Sequence, residues 1–459
     1  MTTAVVLFTA DLRLHDHPPL STALRHCDEV LPLFVRDPAV DSAGFAAPNR
    51  LAFLADCLAD LDAGLRERGG RLVLRHGDTV EETARAAAET GAAAVYTAAG
   101  TSAYAHRRER RLRAALEGDG RRLEVLDAVT TALAPGAVTP ASSDHFAVFT
   151  PYFRQWSAAP QRSPGGAPRR VPVPDGPGSA PLPDRAKTAG ASPALARGGE
   201  REARRRLTAW LRSAADSYED RHDDLAGDAT SRLSPHLHFG TLSAAETVAR
   251  ARARGGPGAE AFVRQVAWRD FNQQLLDARP AAAHDDYRTR EDRWRPPSGA
   301  AAADLEAWRA GRTGYPVVDA AMRQLRHEGW MHNRGRLLTA SFLTKTLYIE
   351  WRAGARHFLD LLVDGDVANN QLNWQWVAGT GTDTRPNRVL NPIRQARRFD
   401  PDGGYVRRWV PELAGVAGAA VHEPWRLPAG ERSGLDYPEP VVDLAEGLAR
   451  FRTARGLRT

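Results

Sequence analysis

Cysteine is nearly absent: the chain has two, Cys27 and Cys57, in neither a C-x-x-C pair nor a His/Cys cluster. That excludes a disulfide framework, a cysteine-built zinc site and an iron–sulfur cluster. Long apolar runs are missing too, so no transmembrane helix is expected. The opening MTTAVVLFTADLRLHDH lacks a basic start before its apolar run and a small-residue cleavage site. A secretory leader is therefore not expected, and the expected compartment is the cytoplasm. Lysine is confined to Lys187 and Lys345, so the formal charge of +6 and the pI near 9.6 rest on arginine. This balance permits a polyanionic partner. A genome-wide bias toward Ala and Arg would produce it as well.

At 459 residues two domains are expected. Apolar runs at Val5–Phe8, Val30–Val35, Leu72–Leu74, Ala94–Tyr96 and Leu123–Leu126 alternate with helix-length segments over residues 1–130. This is the βαβ rhythm of an α/β domain with a parallel sheet. The turn after its first strand, TADLRLHDH, contains no glycine, which disfavours a phosphate-gripping dinucleotide loop. Nine prolines between Pro160 and Pro193 mark residues 131–200 as an interdomain linker. Residues 201–459 read as all-helical and hold ten of the 11 tryptophans.

The most informative stretch is Gly329–Trp376. It brings Arg334 and Arg336, Asp364 and Asp366, four asparagines and four tryptophans around an apolar helical run. Such a mixture suits the wall of a pocket for a large, flat ligand with polar edges. A buried helix with satisfied ends and core tryptophans is the plainer alternative. Farther upstream, Thr230–Ser234 (TSRLS) offers two kinds of hydroxyl, an Arg and backbone N–H groups at a helix start, which suits an anion.

These pieces occur in an order that resembles the photolyase/cryptochrome family. The resemblance rests on DLRLHDH, YEDR–TSRLS, VAWRDF, TGYPVVDAAMR, GWMHNR, DGDVANN and VHEPW, and spans essentially the whole chain. It implies an antenna-chromophore domain, then a helical domain holding FAD. Tyr218, Thr230, Ser231, Arg232, Leu233 and Ser234 match residues that line the FAD. Arg336 and Asp364 match a pair against the isoalloxazine, Asp366 an acid near its polar edge, and Asn370 the residue facing flavin N5. The subtype implied is a class I cyclobutane pyrimidine dimer photolyase of the deazaflavin-type branch, acting on DNA as a monomer. Its alternative is a cryptochrome-type light receptor without repair, which the absence of a long C-terminal tail disfavours.

A damaged base must leave the duplex to reach a buried cofactor. Trp268 and Trp376 match the indoles that sandwich it, and Asn333 an amide that reads it. Arg221, Arg269, Arg334, Gln395 and Arg397 match DNA-contacting positions. Two residues depart from the family pattern: Gln265 stands where Glu is usual and Leu337 where Met is usual. Gln keeps an acceptor without the charge, and Leu keeps the bulk. The paired histidines that (6-4) repair needs at Asn333 and Leu337 are missing, so that activity is not expected. Trp374, Trp351 and Trp294 match an electron-transfer row. Phe34, Asp37 and Arg50 match the antenna site, for which 8-hydroxy-5-deazaflavin is expected although Gly100 replaces an acid often used there.

Overall fold

The structure, a computed structural model, describes residues 1–296 and 298–457. Five strands, β1 (Thr3–Phe8), β2 (Glu29–Arg36), β3 (Val73–His76), β4 (Ala94–Ala98) and β5 (Arg122–Leu126), form one parallel sheet ordered β3-β2-β1-β4-β5. β1 pairs Val5 with Leu31 on one side and Val95 on the other. Every residue of β1 is buried. Burial on both faces is what continuous apolar strands in a parallel sheet require. The crossovers are α1 (Pro18–His26), α2 (Pro48–Arg66), α3 (Thr79–Glu89) and α4 (Ala103–Gly118). Their starts are written locally: Asp78 accepts from Val80 N and Glu81 N to cap α3, and Ser102 accepts from Ala105 N to cap α4.

After the sheet come α5 (Phe149–Ala158), α6 (Glu200–Ser213), α7 (Ala244–Arg254) and α8 (Pro257–Ala278). Then follow α9 (Ala300–Ala310), α10 (Pro316–Glu328), α11 (Asn333–Ser341), α12 (Trp351–Leu361), α13 (Val367–Ala378), α14 (Pro392–Phe399) and α15 (Leu444–Ala454). Contacts divide the chain into two compact units. One comprises residues 1–191, 196–219 and 231–281; the other comprises 192–195, 220–230 and 282–459. The α/β sheet lies in the first, and the second is helical. The proline-rich stretch carries only a 3-10 turn at Arg185–Lys187. Its backbone nevertheless lies on the sheet unit, with Val30 N donating to Pro172 O at 2.8 Å and Ala180 N to Leu74 O at 2.9 Å.

The glycine-free turn after β1 is a plug. Arg13 is 1 % exposed and donates to the carbonyls of Asp16 (2.9 Å), Val129 (2.8 Å) and Gly240 (3.0 Å). His17 pairs with Asp11 at 2.9 Å. Where a dinucleotide-binding sheet leaves an open glycine loop, this one fills the space with its own guanidinium. Gly240 is needed there: its φ is +66°, and a Cβ would fall 1.9 Å from Ala10 O.

Asp270 on α8 ties distant segments of the same unit together. Its Oδ2 accepts from Ala132 N (2.9 Å), Leu133 N (3.1 Å) and Trp156 Nε1 (3.0 Å). Burial raises its pKa to about 6, against the opposing pull of Arg269 and these donors. The folded chain therefore holds this proton above pH 4, where the unfolded chain has lost it. Stability from this group should fall as pH rises from about 4 through about 6, by roughly 3 kcal/mol in all. Asp270→Asn keeps an acceptor for the three donors but cannot ionise. Urea midpoints measured from pH 4 to 7 should show the decline in the wild type and lose this part of it in the variant.

Candidate functional site

The sequence-predicted residues divide between the two units. In the sheet-bearing unit, Trp268 lies on α8, half-buried, with Phe149 of α5 stacked on it at 3.7 Å between centroids and 7° between planes. Phe271 meets its edge at 5.5 Å. Arg264 lies over the Phe149 ring at 4.9 Å. Gln265, one turn before Trp268, is exposed. Arg269 is committed to the fold, donating to Thr130 O at 2.6 Å and Leu237 O at 3.0 Å. Tyr218 is 7 % exposed and meets Trp210 and Phe262 edge-on.

The segment Ser231–Ser234 leads into a helix of only five residues, Ser234–His238. Arg232 has a φ of +52°, an unusual conformation for a residue with a Cβ. So short a helix carries little dipole, and any anion binding here rests on side chains and local N–H groups.

In the helical unit, α11 and α13 carry most of the predicted site. Asn333 begins α11 and is exposed; Leu337, one turn on, shares its face and is half-buried. Arg334 pairs with Asp223 and lies over Phe399 at 4.3 Å. Arg336 donates to Met331 O at 2.9 Å and to Asp364 Oδ2 at 2.8 Å. Asp364 is 7 % exposed, and its Oδ1 is buried without a hydrogen-bond partner. The Thr230 hydroxyl is in the same condition. Buried polar atoms left unpaired cost about 1–3 kcal/mol each, so a ligand with polar edges is what these two would satisfy. Asp366 caps α13, accepting from Asn369 N at 2.9 Å. Asn370 is 8 % exposed and donates through Nδ2 to Ala355 O at 3.0 Å and Gln371 Oε1 at 3.3 Å.

Trp374 is 3 % exposed, with Phe358 at 5.0 Å and Trp308 at 6.1 Å. Its ring occupies the space a Cβ on Gly354 would need, 2.2 Å away. Trp351 is fully buried and donates its indole N–H to Asp286 at 2.8 Å. Trp294 is half-buried. Trp376 is half-buried beneath Arg388 at 4.9 Å. Gln395 is half-buried on α14; Arg397 is exposed and pairs with Glu423, and Arg221 is exposed and pairs with Asp224 at 3.3 Å.

The sequence reading missed the staples of α13. Gln375 is fully buried, accepting from Tyr287 N at 2.8 Å and donating to Ala282 O at 2.7 Å. Gln371 donates to Ala283 O at 3.0 Å. The available signal was two glutamines one turn apart inside an indole-rich helix. Lys345, in a π-helical turn after α11, was missed as well. It is fully buried and donates to Ala378 O at 2.8 Å and Pro386 O at 2.6 Å.

The antenna candidates are held tightly. Asp37 accepts from Ala39 N (2.9 Å), Thr79 Oγ1 (2.8 Å) and Tyr104 OH (2.8 Å). Arg50 is buried and donates to Phe45 O at 3.0 Å; Phe34 is half-buried in β2. A cavity of about 210 Å³ opens beyond β2, β3 and β4, lined by Asp37, Thr79, Tyr104, Arg107, Arg108 and Arg111. No group of His, Cys, Asp and Glu able to hold a metal occurs among the described residues, and none of their helices is long and apolar enough to cross a membrane.

Comparison with known proteins bears on the whole chain. Residues 4–175 match the family described as DNA photolyase, and residues 262–455 match the FAD binding domain of DNA photolyase. The deoxyribodipyrimidine photo-lyase of Streptomyces griseus is 68 % identical, with 100 % of both chains covered. A bacterial class III photolyase from Agrobacterium tumefaciens has a solved structure at TM-score 0.92 and 33 % identity, covering 99 % of this chain and 97 % of that one. A cryptochrome from Synechocystis also superposes at TM-score 0.92, with 28 % identity and 99 % of each chain covered. The chain belongs to the DNA photolyase/cryptochrome family.

Proposed function

We propose that this chain is a deoxyribodipyrimidine photo-lyase, splitting cyclobutane pyrimidine dimers in DNA under blue light. The end-to-end likeness to an enzyme of that name carries the reading. Bound FAD would supply the light-driven electron for ring opening; the protein supplies position and electrostatics. Residues 1–130 form the antenna-chromophore domain, 131–200 the linker and 201–459 the FAD- and DNA-binding domain.

The residues fit the cofactor. Asp364 Oδ1 and the Thr230 hydroxyl are buried acceptors or donors awaiting a partner. By the resemblance, Arg336 and Asp364 would lie against the isoalloxazine and Asp366 near its polar edge, while Tyr218 and Thr230–Ser234 match positions that line the FAD. Asn370, its Nδ2 engaged by Ala355, presents an uncharged amide oxygen that can accept from a reduced ring N–H. Trp268 and Trp376 are the stacking indoles, and Asn333, Gln265 and Leu337 meet the flipped dimer. Arg221, Arg334, Gln395 and Arg397 contact the DNA, and Arg269 acts through the segments it braces. The second chromophore is 8-hydroxy-5-deazaflavin, with Phe34, Asp37 and Arg50 at its site. The donors on the Asp37 oxygens hold that carboxylate ionised and fixed in orientation. The enzyme works as a monomer.

Three outcomes test this reading. Under blue light the FAD-loaded protein should remove cyclobutane dimers from DNA, with no loss in the dark and none of (6-4) products; dimers persisting under light would favour the receptor reading. Trp268→Ala should weaken binding to dimer-containing DNA by roughly 1–3 kcal/mol, the worth of base–aromatic stacking, and leave intact duplex binding nearly unchanged in a competition assay. An equal loss on both would make Trp268 a packing residue. Trp374→Phe should abolish light-driven reduction of oxidised FAD while the chemically reduced variant repairs at close to the wild-type rate. Normal photoreduction in transient absorption would remove Trp374 from the relay.

A further inference from the structure

Tyr348 is 1 % exposed, and its ring lies 4.8 Å from that of Trp294 with 33° between planes. Its hydroxyl donates to Asp292 Oδ1 at 3.1 Å. Arg455 holds the same carboxylate with Nε 2.6 Å from Oδ1 and Nη2 2.7 Å from Oδ2. Arg455 is anchored in turn on the carbonyl of Ala378, the last residue of α13, at 2.8 Å. Tyr348 also has a φ of +57°. An aromatic residue takes that left-handed conformation at a cost of about 1–2 kcal/mol, and only where its neighbours over-determine it. They do here: Arg295 N donates to Tyr348 O at 3.0 Å, and Arg295 bridges Ile349 in parallel. The strand-like pairing fixes the segment carrying Trp294 beside the segment carrying Tyr348.

We propose that Tyr348 is a terminal, proton-coupled electron donor to Trp294. The inference rests on reading Trp374, Trp351 and Trp294 as a relay toward a photoexcited, oxidised flavin, which is the oxidant that draws an electron out of Trp294. In the step, one electron passes from the Tyr348 phenol to the Trp294 radical cation. The phenolic proton moves to Asp292 Oδ1 along the hydrogen bond already present, which is within transfer distance. Trp294 becomes a neutral closed-shell indole, Tyr348 a neutral phenoxyl radical and Asp292 a carboxylic acid. The Trp294 cation and the Asp292 anion are discharged together, and the Arg455 guanidinium, beside the now neutral acid, carries the remaining positive charge. Arg455 keeps Oδ1 turned toward the phenol. Burial and the neighbouring carboxylate push the tyrosine's pKa up to about 12, so the phenol is protonated at rest.

Transient absorption and electron paramagnetic resonance on the full chain loaded with oxidised FAD read this step directly. After a flash, the wild-type tryptophanyl signal should give way to a phenoxyl radical. Tyr348→Phe keeps the ring and loses the hydroxyl; it should abolish the phenoxyl signal and lengthen the tryptophanyl lifetime at least about tenfold. Asp292→Asn should suppress the phenoxyl radical while leaving the phenol in place. Heavy water should slow the decay in the wild type and not in Tyr348→Phe, which tests proton coupling even if Asp292→Asn does not fold. A tryptophanyl radical whose lifetime is the same in wild type and Tyr348→Phe would overturn the proposal and leave the relay standing. Unchanged photoreduction in Trp294→Phe would overturn the relay reading itself, and the proposal with it.

Discussion

Helix α13 carries Asn370, Trp374 and Trp376, and its position depends on how its two ends and one flank are held. Asp366 caps the start. At the other end the buried ammonium of Lys345 takes the carbonyls of Ala378 and Pro386. A cation at a helix C-terminus meets the negative end of the dipole. Burial lowers the pKa of Lys345 to about 7, with Arg455 acting in the same direction. Its two carbonyls and the Phe451 ring, 4.7 Å away, offset that loss of hydration. Lys345 is one of only two lysines in the chain, and it is the one that is fully buried.

Gln371 and Gln375 hold the flank. Their amides satisfy backbone groups of residues 282–287 that no regular element would pair. The same loop supplies Asp286 to the Trp351 indole. One set of buried amides thus orients Asn370, Trp351 and Trp374 together. Gly354 completes the arrangement by leaving room for the Trp374 ring. Site geometry here comes from satisfied polar groups around indoles, and only secondarily from apolar bulk.

The sheet-bearing unit solves a different problem. Asp270 and Arg13 each join segments more than a hundred residues apart, through backbone donors in one case and carbonyls in the other. Phe149, from a short helix after the sheet, covers one face of Trp268 and leaves the indole half-buried. Stacking on one face and an edge contact with Phe271 fix the orientation of the indole.

Much of this was legible in the chain. The spacing of Val5–Phe8, Val30–Val35 and Ala94–Tyr96 determined a parallel α/β sheet, because apolar runs separated by helix-length segments have few other ways to bury themselves. The missing glycines after β1 disfavoured a dinucleotide loop. The ordered motifs from TSRLS to DGDVANN determined the family and brought Arg336, Asp364, Asn370, Trp268 and Trp376 forward as candidates. Tertiary structure alone decided the rest. That Asp37 is saturated by donors, that Arg269 braces carbonyls, that Phe149 backs Trp268 and that Tyr348 adjoins Trp294 are pairings between residues far apart in the chain. Local propensity and periodicity are short-range signals. Which donor meets which acceptor across tens or hundreds of residues is set only when the chain packs and each buried polar group finds its partner.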